Sequence, residues 1–330
     1  MKNDNPLFSI IITSYNQESY IERTIQSVLS QSFKDFEIII VDDCSTDDTA
    51  KIITAIKSKD DRITFIKHKD NKSVFISRID GVQQANGKYI LFLDGDDTYF
   101  ENALEQLEKI ISNEEFDVCE FSYFMSLEKK VVNPIDKYLN ISRLEYFSKN
   151  DINFLIWNKF YRTEILKKSF TDIQTGYMNI AEDWYQSICI ACHTKKYLQK
   201  NILVYNYNTE AGITAKKYTF EKNKNNFDSI KCVLFCINNL LQKETDSELK
   251  NKIIENIEAQ LYSWAKVKVK YQTEKSDVIK SYLLLSKIFD EKYMFDDFSL
   301  LYQDAHKYRD GYFSFKNFAR RIYHKIKGLL

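Results

Sequence analysis

The first 125 residues alternate between two hydrophobic periodicities, and that alternation leaves the chain few architectures to adopt. "FSIIITSY" (8–15) is a continuous apolar run rich in β-branched residues, the pattern of a strand covered on both faces. Ile21, Ile25, Val28 and Leu29 then recur at helical spacing. "FEIIIVDD" (36–43) repeats the buried-strand signal. A helix pattern follows from Thr46 or Asp47 through Ile56, with Asp47 and Asp48 suited to its first turn. "ITFIKH" (63–68) predicts a shorter strand, "VFISRIDGVQQA" (74–85) a helix and "KYILFLD" (88–94) a fourth strand. A helix over 101–112 and a strand near 117–124 continue the series. Strands and helices alternating at these lengths imply right-handed βαβ units and a mainly parallel, Rossmann-like sheet flanked by helices.

Beyond residue 125 the pattern changes. Residues 126–200 are less regular, and 220–330 read as mostly helical, rich in Lys, Asn, Leu and aromatics. A soft boundary near Ala215–Phe220 divides an α/β body, residues 1–215, from a helical C-terminal region, 216–330. The body itself divides into parts 1–125 and 126–215. Lysine plus arginine and aspartate plus glutamate both total 47, so no global charge recommends a nucleic-acid partner. The N-terminal apolar run is too short for a signal peptide or a membrane span, which predicts a cytoplasmic chain with reduced cysteines. "CIACH" (189–193) matches the haem-attachment spacing, and Cys189, Cys192, Cys232 and Cys236 could formally hold zinc. Their apolar neighbours favour core cysteines on helices in both cases.

Open α/β sheets bind ligands outside the carboxyl ends of their strands, so the polar strand ends carry the functional reading. Strand one ends at Thr13-Ser14-Tyr15-Asn16, strand two at Asp42-Asp43, and strand four at Asp94-Gly95-Asp96-Asp97. Carboxylates at D-x-D spacing on an extended segment point the same way and suit Mg2+ or Mn2+, which takes one or two carboxylates plus substrate phosphates. Gly95 would permit a close backbone approach or a positive φ. The competing explanation is a solvated acidic turn opening the helix at 101. Asp43 could accept the imide of uracil or a ribose hydroxyl; the competing reading is capping of the following helix, which Ser45, Thr46 or Asp47 can already supply.

"SIIITSYNQESYIERTIQSVLSQSFKDFEIIIVDDCSTDDT", "SRIDGVQQANGKYILFLDGDD", "NKFYRTEIL" and "AEDW" together resemble the inverting family 2 glycosyltransferases of GT-A fold. The likeness is dense over 7–100, thinner to about 210 and absent beyond. It implies a nucleotide-diphosphate sugar donor, most often UDP-linked, bound by the 1–125 part, and a glycan or lipid-linked glycan acceptor met by the 126–215 part. Thr13, Tyr15 and Asp43 match the family's nucleotide-base contacts, and Arg78 the basic residue near the base or diphosphate. A solvated helix arginine is the other reading of Arg78. Asp94, Asp96 and Asp97 match the D-x-D region, with Asp96 and Asp97 nearest ribose and metal, Mn2+ or Mg2+. "NKSVFISRIDG" departs from the glycine and asparagine that many relatives show there, which puts the contacts of Lys72–Phe75 in question. Asp183 matches the catalytic base, with Glu182 as its alternative, since inverting displacement needs a carboxylate to take the acceptor proton. Trp157, Lys159 and Trp184 are weaker acceptor-side candidates, the tryptophans being equally suited to a core.

Two other functions fit less well. A sugar-nucleotide nucleotidyltransferase would want a glycine-rich loop after strand one, where this chain has "TSYNQESY". A catalytically inactive nucleotide-sugar-binding module would not need Asp43, Asp96, Asp97 and Asp183 together. The tail "FSFKNFARRIYHKIKGLL" (313–330) carries five Lys or Arg and no acid, with apolar residues three or four apart. Such a helix can lie on the anionic inner face of a membrane, or pack on the body with a solvated basic face.

Overall fold

The computed structural model describes residues 5–134, 138–139, 145, 153–171, 173, 178, 180–209 and 220–270, with 281, 285, 288 and 289. The basic tail at 313–330 lies outside the described residues.

Four strands form the parallel half of one sheet: β1 (Phe8–Ser14), β2 (Phe36–Asp42), β3 (Ile63–Lys67) and β4 (Tyr89–Asp94). Every residue of β1 is buried, as its unbroken apolar run requires of a strand covered on both faces. The helices between them are α1 (Ile21–Leu29), α2 (Thr49–Lys57) and α3 (Val74–Gln84). Ile21, Ile25 and Val28 bury one stripe of α1, and Phe75, Ile79 and Val82 one of α3. α2 starts two or three residues later than its periodicity predicts. Asp47 accepts the Thr49 amide at 3.1 Å and so acts ahead of the helix rather than within it.

Strand order places the site. The chain begins centrally in β1, runs outward through β2 and β3, then returns to β4 on the other side of β1. Adjacent connections therefore diverge between β1 and β4, and a crevice opens at their carboxyl ends, where Thr13 pairs with Asp94. Past β4 come β5 (Thr98–Tyr99), α4 (Ala103–Asn113), β6 (Val118–Met125), β7 (Lys130–Val132) and β8 (Tyr138–Leu139). β9 (Lys159–Arg162), α5 (Thr163–Thr171), α6 (Glu182–Ala191) and β10 (Tyr197–Tyr207) follow. The full order among the described residues is β3-β2-β1-β4-β9-β6-β10-β5. β9 is antiparallel to both β4 and β6 and so reverses the sheet's direction.

The described residues divide into two compact units. The first joins residues 1–216 to Cys232–Ile253, which include the end of α7 (Phe220–Leu241) and the start of α8 (Ser247–Lys270). Cys189 of α6 and Cys236 of α7 are buried within it. The second unit, residues 217–231 and 254–330, buries Ile257, Leu261 and Ala265 of α8, and its Tyr262 meets Phe289 edge-on.

Gly87 enters β4 hard against β1. A Cβ there would lie 2.6 Å from the Ser9 amide nitrogen and 2.7 Å from the Phe8 carbonyl carbon, both backbone atoms in a fully buried strand. Gly87→Ala is therefore expected to lower the unfolding free energy by about 1–3 kcal/mol, read from the urea midpoint.

Candidate active site

The tips of β1 and β4 are tied by polar contacts. Thr13 Oγ1 donates to Asp94 Oδ1 at 3.3 Å, and the Asp94 amide donates to the Tyr205 hydroxyl at 3.1 Å. Gly95 is required by close approach rather than by a positive φ: a Cβ would sit 2.9 Å from the Thr13 carbonyl oxygen. The acidic turn does not open a helix, because β5 intervenes and α4 begins only at Ala103. Tyr15, just past β1, is 46% exposed and leaves its ring open to a ligand.

Asp96 and Asp97 differ in what they already hold. Asp97 is fully committed: its Oδ2 accepts from the Tyr205 hydroxyl at 2.6 Å and its Oδ1 from the Asn208 amide at 2.6 Å. Burial, then Asp94 and Asp96, push its carboxyl up to about 8 against those two bonds. Burial and Asp94 likewise push Asp96 up to about 6, opposed by Arg23 and by a bond from Gln17. Arg23 gives its Nη2 hydrogen bond to the Asp96 carbonyl at 2.8 Å, so the carboxylate's charge is only partly offset by the protein. A hard cation that uses one or two carboxylates and otherwise a ligand's oxygens fits Asp96 on this chemistry. Among the described residues no three His, Cys, Asp or Glu gather into a complete cage.

Arg78 is buried, not the solvated helix arginine that its sequence position allowed. Its Nη2 donates to Asp94 Oδ1 at 3.3 Å. Its Nη1 donates to Asp183 Oδ1, to Glu182 Oε1 at 3.4 Å and to Gln186 Oε1 at 3.3 Å. One guanidinium thus joins the acidic tip of β4 to the first turn of α6. Burial opposes its charge, but Asp183, Asp94 and Glu182 together hold its pKa above the ordinary value. Burial raises Glu182, and the charge of Asp183 raises it further, against Arg78. Burial also holds Asp183 above its ordinary value, although Arg78 and the buried Lys159 oppose it. Both neighbours are thus raised by burial, and Arg78 opposes the rise in each.

The second acidic pair serves its own loops. Asp42 accepts from the Ser45 amide at 3.1 Å, from the Ser45 hydroxyl and from Ser14 Oγ at 3.3 Å. Asp43 accepts from the Lys72 and Ser73 amides, each at 2.8 Å, and pairs with His68 Nδ1 at 2.8 Å. His68 Nε2 reaches Asp80 at 2.9 Å. Asp43 thus fixes the entry to α3, where Ser73 holds φ 86° in the segment that departs from the glycine pattern. A positive φ at serine costs of order 1–3 kcal/mol, and these bonds hold it.

Of the weaker candidates, Trp157 is a core residue. It is 4% exposed, stacked on Tyr205 at 4.4 Å and Tyr207 at 5.1 Å, and so closed to a sugar face. Trp184 stacks one face on Phe154 at 3.7 Å and keeps partial exposure. Lys159 is buried, its ammonium donating to the Leu155 carbonyl and to Asn158 Oδ1 at 2.9 Å. Three participants escape a motif reading: Tyr205, Gln186 and His68. Tyr205 had a signal, the i, i+2 tyrosines of "VYNYN", which put two rings on one face of a strand.

Comparison with solved structures identifies the architecture as the GT-A fold. The Staphylococcus aureus protein TarS, solved in complex with UDP-GlcNAc, superposes with TM-score 0.65 at 20% identity, covering 85% of this chain and 81% of that one. The mannosyltransferase PcManGT of Pyrobaculum calidifontis, solved with GDP-Man and Mn2+, gives TM-score 0.53 at 12% identity over 97% of this chain and 86% of that one. Residues 9–172 match the glycosyl transferase family 2 model, so the chain carries a glycosyl transferase family 2 domain over that span. The teichuronic acid biosynthesis glycosyltransferase TuaG of Bacillus subtilis is 39% identical over 142 residues, 42% of this chain and 55% of the relative. The GalNAc(5)-diNAcBac-PP-undecaprenol beta-1,3-glucosyltransferase of Campylobacter jejuni is 36% identical over 103 residues, 31% of this chain and 33% of the relative. The chain spans about half the length, or less, of these curated relatives.

The folded state holds a proton on Asp97 more tightly than its ordinary value of 3.8 allows, so this group's contribution favours folding at low pH. That contribution is lost as the pH rises from about 4 through about 8. In chelator, Asp97→Asn is expected to melt above the wild type at pH 8, by on the order of a few kcal/mol, and to converge with it toward pH 4. Asparagine keeps the acceptor for the Asn208 amide, and its amide can donate to the Tyr205 oxygen. Calorimetric melts across that range measure the difference.

Proposed function

We propose that this chain transfers a sugar, with inversion, from a nucleotide-diphosphate donor, UDP-linked, to a hydroxyl of a glycan or lipid-linked glycan. The observation that carries the reading is the juxtaposition, through Arg78, of the β4 acid Asp94 with Asp183 and Glu182. That arrangement sets a donor crevice at the strand tips beside a carboxylate on a different element. Support comes from neighbours: TarS is solved with UDP-GlcNAc, and the Campylobacter relative is named for a lipid-linked acceptor. TuaG is named for teichuronic acid synthesis, which points to a surface polysaccharide as the product class.

In this reading the nucleotide lies over the ends of β1 and β2, against the open ring of Tyr15, with Thr13 and Asp43 shaping the floor. Asp43 does so through the Lys72–Ser73 backbone it anchors, and its carboxylate has little capacity left for a base. Asp96 would hold the Mn2+ or Mg2+ ion, which when bound supplies charge neutralisation at the leaving diphosphate. Asp97 holds the turn that presents Asp96. Asp183 takes the proton of the acceptor hydroxyl as it attacks the anomeric carbon from the face opposite the leaving group. Burial raises both Glu182 and Asp183; Asp183 is taken as the base because Arg78 bonds its Oδ1 and leaves Oδ2 open, with Glu182 as its alternative.

The reaction belongs to the cytoplasmic side, at a membrane surface where the acceptor is lipid-linked. No helix among the described residues is long and apolar enough to cross a membrane, so any membrane contact would be peripheral in this part of the chain.

Asp183→Asn is expected to cut turnover about 10²–10⁴-fold while UDP binding survives. Turnover equal to the wild type would remove the base assignment. Titration calorimetry with UDP should show tighter binding with Mn2+ than in chelator, and equal affinity in both would remove the metal from Asp96.

A further inference from the structure

Arg78 touches both halves of the proposed site, and it does so while only 2% exposed. Both terminal nitrogens already serve protein oxygens: Nη2 serves Asp94, and Nη1 serves Asp183, Glu182 and the amide oxygen of Gln186. A donor contact would hold those nitrogens toward the crevice. We propose that Arg78 is a positioning residue for Asp183: it fixes Oδ1, sets a positive charge beside the carboxylate, and leaves Oδ2 to take the acceptor's proton. The inference rests on the reading of Asp183 as the base.

The charges around Asp183 show why such a partner is needed. From α3 it faces Arg78, from β4 Asp94, from β9 Lys159, and on its own helix Glu182. Burial and Asp94 drive the carboxyl toward the neutral form, which is no base. Arg78 and Lys159 oppose them, and Arg78 also makes a hydrogen bond to Asp183 in doing so. A lysine at 78 would supply the charge but not the fork, because an ammonium is a single point that cannot hold Asp94 and Asp183 in two directions.

The test is the titration of the Asp183 carboxyl in the full chain, followed by carbon-13 NMR and assigned by the signal lost in Asp183→Asn. In the wild type the group is expected to be ionised at pH 7; a protonated Asp183 there overturns the proposal without any variant at 78. In Arg78→Gln the midpoint should rise by about one pH unit or more. In Arg78→Lys it should stay within about half a unit, because the charge remains. UDP affinity, measured by calorimetry, should change less than about threefold in Arg78→Lys, since a positioning residue does not touch the donor. An unmoved midpoint in a folded Arg78→Gln, or a tenfold loss of UDP affinity in Arg78→Lys, makes Arg78 a donor contact and ends the inference. The reading of Asp183 fails separately, on undiminished turnover of Asp183→Asn, whatever the titration at 78 shows.

Discussion

The rest of this site depends on keeping negative charge buried at the carboxyl end of a parallel sheet. Asp42, Asp43, Asp96 and Asp97 are all less than 9% exposed, and Glu182 joins them from α6. Each would be costly to hold as an isolated anion. The protein meets that demand in two ways. Most of these carboxylates accept neutral hydrogen bonds from loop amides, hydroxyls or a tyrosine, and a few face a buried cation. Arg78 carries the largest share, because its planar fork can address two carboxylates in different directions at once. Removing either side of such a cluster leaves an uncompensated buried charge, which is why its parts stand or fall together.

That distribution of partners separates aspartates that look alike in sequence. Asp42, Asp43 and Asp97 have their oxygens occupied by nearby groups that define a loop or a turn. They build the crevice. Asp96 and Asp183 keep capacity to spare: the first is incompletely compensated, and the second is held by one oxygen and retains 20% of its side-chain surface. In the proposed reading, chemistry falls to the groups whose hydrogen bonding is unfinished, and folding to those whose bonding is complete.

The parallel half was legible because a strand buried on both faces and an amphipathic helix each impose a period that the side chains must follow. "FSIIITSY" and "FEIIIVDD" could be little else, and their polar ends then fixed where a ligand would lie. What was not legible was set by distant partners. β9 and β10 are short or irregular in pattern because they lie within a mixed half of the sheet, where neighbours rather than period decide exposure. Trp157 reads equally as a sugar platform or a core residue until Tyr205 and Tyr207 are known to cover it. Arg78 reads as a donor contact or a solvated helix residue because nothing within α3 announces the acids of β4 and α6 that bury it.

The strand tips are also where the backbone is strained. Asn16, Cys44, Ser73 and Ala181 are non-glycine residues with φ between 54° and 86°, and each lies beside a site residue. Such conformations persist only when their surroundings over-determine them. Here they are: Asn16 takes the Ser45 hydroxyl with its amide and accepts the Thr46 amide at 2.9 Å, which binds the loop after β1 to the loop after β2. The Ser73 amide is held by Asp43, and Asp43 by His68, whose far nitrogen is held by Asp80. The loops after β1, β2 and β3 are therefore locked to one another before any ligand arrives. A crevice assembled in this way has already met the cost of ordering its walls, so a donor entering it would order little more than itself.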